Sequence, residues 1–184
     1  MIMMKSPCFA FNSCDVPGIN YRMRYTVNGR PGVTPAELVS RILGADQQAR
    51  KLDGSQLMNV VINCHGNHLG GLAIGGIGNQ HLDTSNLVSF IQLCGRNIGT
   101  IWLIACGAAQ GSAGITFCQT LARISGCLVI ASDADQDVGV WDTYRLAVGL
   151  PNQIDEFEGK VYSFTPRGPV TSIDPHNDVF TTLE

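Results

Sequence analysis

Two short stretches end in side chains suited to covalent chemistry. LMNVVINCHGNHLGG, residues 57–71, carries an apolar run into Cys64-His65-Gly66, and IGTIWLIACGAAQGSAG, residues 98–114, carries another into Cys106-Gly107. A cysteine attacks a carbonyl carbon as its thiolate, and a neighbouring imidazole helps to form and hold that thiolate. If each run is a buried strand and the two strands are neighbours, His65 and Cys106 meet across a cleft. Gly66 and Gly107 let the backbone approach a substrate closely. The amides of Gly66 and of Cys106 would then face a developing oxyanion, where each such donor is worth about 3–4 kcal/mol. A helix beginning close behind Cys106 would add its N-terminal dipole in favour of the thiolate.

The elements around these stretches agree on where they end. "INYRMRYTV" alternates as a strand should, ahead of the turn "NGRPG". Thr34, Pro35 and Glu37 open a helix as N-cap, first helical residue and capping-box partner, with Leu38, Val39, Ile42 and Leu43 on one face up to Gly44. "QLMNVVINC", "TIWLIAC" and "CLVIAS" are apolar throughout, the mark of strands buried on both faces. Between them lie two helical patterns, "HLDTSNLVSFIQLCG", capped by Asp83 or Thr84, and "SAGITFCQTLARISG", ending at Gly126. A short helix is expected around residues 141–148, and "GKVYSFTPRGPVTSI" reads as a strand, a turn and a returning strand. The alternation predicts an α/β fold, a mainly parallel sheet with helices on both faces, whose ligands bind at the carboxyl ends of the strands. His65, Cys106 and Asp133 all fall at those ends.

Composition bounds the reading. A chain of 184 residues with 45% apolar and 15% charged residues is expected to be a single domain, residues 1–184, with its own core. Twelve scattered Lys and Arg and a net charge of −3 argue against a nucleic-acid partner. Seven cysteines without a C-x-x-C pair point to a reducing, cytoplasmic setting rather than a disulfide framework. "MIMMKSPCFAF" lacks the pattern of a signal peptide, and no apolar stretch approaches the ~18 residues of a membrane span.

The pair "VVINCHGN" and "IWLIACGAA", followed by a helix and "CLVIASDAD", resembles the caspase-like cysteine peptidases over about residues 57–135. In that superfamily a His-Gly closes one parallel strand and an Ala-Cys closes the next. The resemblance implies a caspase-like three-layer sandwich, His65 as general acid or base, Cys106 as nucleophile, and Gly66 and Cys106 as oxyanion-hole amides. It also implies that residues 132–136, including Asp133, Asp135 and Gln136, line the pocket for the side chain before the cleaved bond. Acidic residues at 133, 135 and 137 on alternate positions would favour Arg or Lys there. The partner is then a protein or peptide substrate, with no metal or cofactor. Ala105-Cys106-Gly107 departs from the Gln-Ala-Cys of true caspases, so the subfamily stays open.

Other readings compete for the same residues. Cys106 would be an ordinary buried thiol if Cys94, Cys118 and Cys127 are its models. Zinc held by His65 and His68 with Cys64, His81 or Cys94 does not match the usual ligand spacing, and strand alternation would point Cys64 and His65 opposite ways. "GGLAIGGIG" fits no phosphate-loop pattern and reads as a β-hairpin beside His65, while Ser112 stands where a phosphatase loop needs Arg and "QGSAG" misses a serine elbow. Asp83 or Asn63 would be available to orient the imidazole. Beyond hydrolysis, the same dyad would support acyl transfer or deamidation, and a non-catalytic interaction module would keep the fold without the chemistry.

Overall fold

The structure is a computed structural model and describes residues 1–16, 20–67, 70–79, 81–136 and 152–175. The expected helix around 141–148, with Trp141 and Tyr144, lies outside the described residues, as do His68 and Asp137.

Twelve strands are described: β1 (Ile2–Met3), β2 (Cys8–Asn12), β3 (Tyr25–Asn28), β4 (Asn59–Asn63), β5 (His65–Asn67), β6 (Gly71–Ala73), β7 (Leu82–Asp83), β8 (Thr100–Ile104), β9 (Leu128–Ser132), β10 (Gln153–Ile154), β11 (Val161–Phe164) and β12 (Val170–Ile173). Two α-helices, α1 (Pro35–Leu52) and α2 (Gly111–Ser125), and a 3-10 helix, Leu87–Leu93, lie among them. Seven strands form one sheet in the order β12-β11-β9-β8-β4-β2-β3. Pairing is parallel from β3 to β9, and β11 and β12 add an antiparallel edge. The protein is thus mixed α/β with a mostly parallel sheet, as the apolar runs require.

Both faces of the sheet are buried, and the strands divide their side chains between them with period two. Phe9, Phe11, Val60, Ile62, Ile101, Leu103, Val129 and Ala131 point to one side, where α1, α2 and the 3-10 helix supply Leu38, Ile42, Phe90, Phe117 and Leu121. Ala10, Val61, Trp102 and Ile130 point to the other, where Ile2, Met4, Tyr21, Met23 and Ile154 cover them. The described helices share one face, and the helix expected around residues 141–148 lies outside the described residues. Handedness explains the shared face. The steps β3 to β4, β4 to β8 and β8 to β9 all run in one direction across the sheet, so right-handed crossovers put their helices on the same side. The step β2 to β3 runs the opposite way, and its short connection, with Tyr21 and Met23, covers the other face.

Three local expectations need correction. "INYRMRYTV" supplies only β3, whereas the strand that ends beside the site is β2, within a segment that showed no alternation. Helix α1 opens as predicted, with the Glu37 amide donating to Thr34 Oγ1 at 3.2 Å, but it continues beyond Gly44 for two turns. Ala45 and Ala49 extend its buried stripe, and buried Asp46 accepts from Arg50 Nε (2.9 Å) and the Leu57 amide (3.1 Å). Residues 81–95 form no α-helix. Asp83 Oδ1 accepts from the Ser85 amide and Asn86 Oδ1 from the Asp83 amide, which closes a turn. Leu87, Phe90 and Leu93 are then buried at a spacing of three, the period of a 3-10 helix, and Val88 and Ile91 face solvent. Among the described residues, no helix is long and apolar enough to cross a membrane.

Candidate active site

The strand order reverses between β2 and β4, and in open α/β sheets such a reversal opens a crevice at the carboxyl edge. Asp15 follows β2, His65 follows β4, Cys106 follows β8, and residues 133–136 follow β9. The sheet brings them to one edge.

His65 stands where the chain leaves the main sheet. The Cys64 amide still donates to the Ile104 carbonyl at 3.2 Å; His65 then begins β5, which pairs with β6 in a small antiparallel sheet continued by β7. The glycine-rich hairpin expected beside the histidine is this sheet. Gly66 is the point of closest approach. A Cβ there would lie 2.7 Å from the Cys106 carbonyl carbon and 3.0 Å from its amide nitrogen, and closer still to its carbonyl oxygen. Only glycine lets the His-Gly corner rest on the backbone of Cys106. The two amides expected to form an oxyanion hole are therefore neighbours.

Cys106 lies in a turn held from the other side by the exit of β9. The Gly107 amide donates to the Ala134 carbonyl (2.9 Å) and the Ala109 amide to the Ser132 carbonyl (2.8 Å). The Gln136 amide points at Cys106 Sγ at 3.4 Å, so Gln136 reaches the sulfur through its main chain. Its side chain turns back to the Ala134 carbonyl at 3.0 Å. Cys106 is half-buried. Helix α2 begins only at Gly111, so Cys106 sits outside its first turn and draws little from its dipole.

The other thiols divide cleanly. Burial pushes Cys8 up to about 12 and Cys127 up to about 11, each moderated by a side-chain hydrogen bond. Burial also pushes Cys118 up, and Cys64 with the help of charge at Asp15 and Cys106. Cys94 is exposed rather than buried as its sequence context suggests, and so is Cys14. Four thiols are thus hidden and suppressed, whereas Cys106 is only half-buried.

The imidazole has an anchor that sequence did not disclose. His65 Nε2 lies 3.0 Å from the main-chain carbonyl of Asp15. A carbonyl oxygen only accepts, so Nε2 carries the proton and Nδ1 is the unprotonated nitrogen of the neutral ring. Every residue has a carbonyl, so no residue type could have signalled this partner. The two side chains proposed for the task are engaged elsewhere: Asp83 in its turn with Ser85, and Asn63 with Asn12 Oδ1 at 3.1 Å.

Asp133 is half-buried and its carboxylate is taken up by hydrogen bonds to the chain around β11. Its Oδ1 accepts from the Lys160 amide (2.9 Å) and its Oδ2 from the Tyr162 hydroxyl (3.2 Å), which fasten the end of β9 to β11. Asp135 is exposed, one residue before the amide that meets Cys106. Among the described residues, no group of three or more His, Cys, Asp or Glu is placed to hold a metal ion. A groove of about 650 Å³ lies between β3 and α1, lined by Arg24, Tyr25, Glu37 and Arg41 among others, and it shares no residue with the His65–Cys106 edge. The convergence of a thiol, an oriented imidazole and neighbouring backbone amides is a more specific chemical signal than this groove.

No protein-family model, curated protein or solved structure matches the chain. The functional reading rests on geometry and on the residues themselves.

Proposed function

We propose that the chain is a cysteine endopeptidase with a caspase-like three-layer arrangement, in which Cys106 is the nucleophile and His65 the acid and base. The observation that carries this reading is the packing of Gly66 on the backbone of Cys106, which joins the His-Gly corner to the cysteine turn. His65 Nδ1 takes the thiol proton, and Cys106 Sγ adds to the scissile carbonyl carbon. The amides of Gly66 and Cys106 receive the oxyanion. Collapse expels the amine, which takes its proton from His65 and leaves a thioester. Water then adds to the thioester, gives a proton to His65 and releases the acid and the free thiol. The Gln136 amide, aimed at Sγ, is a donor that favours charge on sulfur.

Selectivity for a basic residue before the cleaved bond is assigned to Asp135, the exposed carboxylate of the 133–136 segment. Incubating the protein, Cys106→Ala and His65→Ala with a peptide library and reading products by mass tests the whole reading. The expected result is cleavage by the wild type after Arg or Lys and none by either variant. Mass increments of acyl transfer or deamidation in place of cleavage would move the same dyad to another reaction, and no product at all would refute an enzyme.

A further inference from the structure

Asp15 touches the candidate site at both of its ends. Its carbonyl accepts from His65 Nε2, while its carboxylate accepts from two other donors: Oδ2 from the Ile77 amide at 2.6 Å and Oδ1 from the Ser13 hydroxyl at 3.0 Å. Ile77 belongs to the tight turn that follows β6, closed by the Gly76 amide on the Ala73 carbonyl and the Asn79 amide on the Gly76 carbonyl. Gly76, at φ +95°, lies so near Asp15 that a Cβ on it would meet Oδ2 at 3.2 Å. The turn leads back through β6, whose Ala73 pairs with His65 itself. A closed circuit results, from His65 through the hairpin and its turn to the Asp15 carboxylate, and from the Asp15 carbonyl back to the ring.

The chain between those two ends is short. An aspartate has only two side-chain torsions, so a carboxylate held by an amide and a hydroxyl fixes its own Cα and restricts the plane of its carbonyl. We propose that the Asp15 carboxylate is a positioning group: by gripping the Ile77 amide and the Ser13 hydroxyl it aims the Asp15 carbonyl at His65, and so keeps the proton on Nε2 and Nδ1 open for chemistry. Half-buried as it is, the carboxyl is pushed up by desolvation, but the Ile77 amide, the Ser13 hydroxyl and the charge of His65 outweigh this and hold it below the usual carboxylate range. The grip is therefore charged, and of the stronger class of hydrogen bond. Its catalytic consequence rests on the peptidase reading; its effect on the imidazole does not.

Asp15→Asn keeps the shape and one acceptor oxygen, Asp15→Ala removes both, and both keep the carbonyl. The first readout is the proton on His65 Nε2, observed by NMR in the full chain above the ring's titration and assigned with His65→Ala. The wild type is expected to show it protected from solvent exchange, Asp15→Asn to show it weakened, and Asp15→Ala to lose it. The second readout is kinetic: kcat is expected to fall roughly tenfold in Asp15→Asn and roughly a hundredfold in Asp15→Ala, with KM within about twofold, as befits a group that aims a proton carrier. If Asp15→Ala does not fold, Asp15→Asn and Ser13→Ala carry the same test. A wild type without a protected imidazole proton, or folded variants that retain it, overturns the proposal. A wild type that cleaves nothing while the proton is still lost on removing the carboxylate leaves the positioning role standing and refutes the peptidase.

Discussion

Replacing Gly66 by Ala adds one methyl group at the tightest contact of the candidate site. The new Cβ would sit 2.7 Å from the Cys106 carbonyl carbon, where non-bonded carbons settle at about 3.5–4.0 Å. The Cys106 carbonyl oxygen is nearer still, so either the β5 corner or the Cys106 turn must retreat by more than about 1 Å, and both are backbone, so no side-chain rotation relieves the clash. Overpacking of this kind costs about 1–3 kcal/mol, and backbone against backbone belongs at the upper end. For a domain of this size about 3 kcal/mol lowers the melting temperature by about 6–12 °C. A 1 Å displacement of reacting groups also costs about a hundredfold in rate. Circular-dichroism melting, with iodoacetamide modification of Cys106 and peptide cleavage both followed by mass, reads both effects. Gly44→Ala is the control, because nothing lies within 4 Å of a Cβ at that exposed helical position, and it should be neutral or stabilising by up to about 1 kcal/mol. A Gly66→Ala protein that melts within about 2 °C of the wild type, with Cys106 modified at the wild-type rate, would refute the close approach.

Thiol labelling of the native protein at pH 7 should modify Cys106 faster than exposed Cys94 and spare Cys8, Cys64, Cys118 and Cys127 until the protein unfolds; equal rates at Cys106 and Cys94 would count against an activated nucleophile. Asp133→Ala should destabilise the fold by about 1–3 kcal/mol in chemical denaturation, because the Lys160 amide and Tyr162 hydroxyl lose their acceptor, and it should leave any preference for basic substrates in place. Because the folded Asp15 carboxyl lies below its ordinary value of about 3.9, its stabilisation is fully present above that pH and is lost as pH falls through the folded value. The stability gap between the wild type and Asp15→Asn should thus close as the pH falls through the folded value of the carboxyl; a gap that persists unchanged into strong acid would show that the carboxylate is not its source.

What the sequence disclosed and what it concealed follow from the physics of each element. Val60–Ile62 and Ile101–Leu103 are legible because a strand buried on both faces has no polar positions, so its end is visible as the first residue that breaks the run. That located His65 and Cys106 without any structure. β2 escaped because "CFAFN" is short and follows a proline, and its partners are non-local. The 3-10 helix escaped because Val88 and Ile91 gave a convincing helical spacing while the buried set recurs every third residue. The acidic run after β9 shows another limit of sequence: it displays a carboxylate but not what donates to it, and Asp133 meets the Lys160 amide and the Tyr162 hydroxyl some thirty residues further on, just before and within β11. The Asp15 carbonyl belongs to a class of partner that sequence never marks.

The edge that carries the candidate site has a consequence for how the protein comes into being. Its parts arrive in the order Asp15, His65, Cys106 and Gln136, spread over about 120 residues and drawn from four strands that pair in parallel. Parallel pairing is non-local and slow to form, and a chain emerges from synthesis at about 5–20 residues per second. On the order of ten seconds thus separates the appearance of Asp15 from that of Gln136. Only over its last thirty residues, about 1.5–6 seconds from Cys106 to Gln136, does the thiol exist without its flanking amide and without the loop that pins its turn. A nascent chain therefore carries the Cys106 thiol before the edge around it can assemble, and that edge is complete only once β9 has docked.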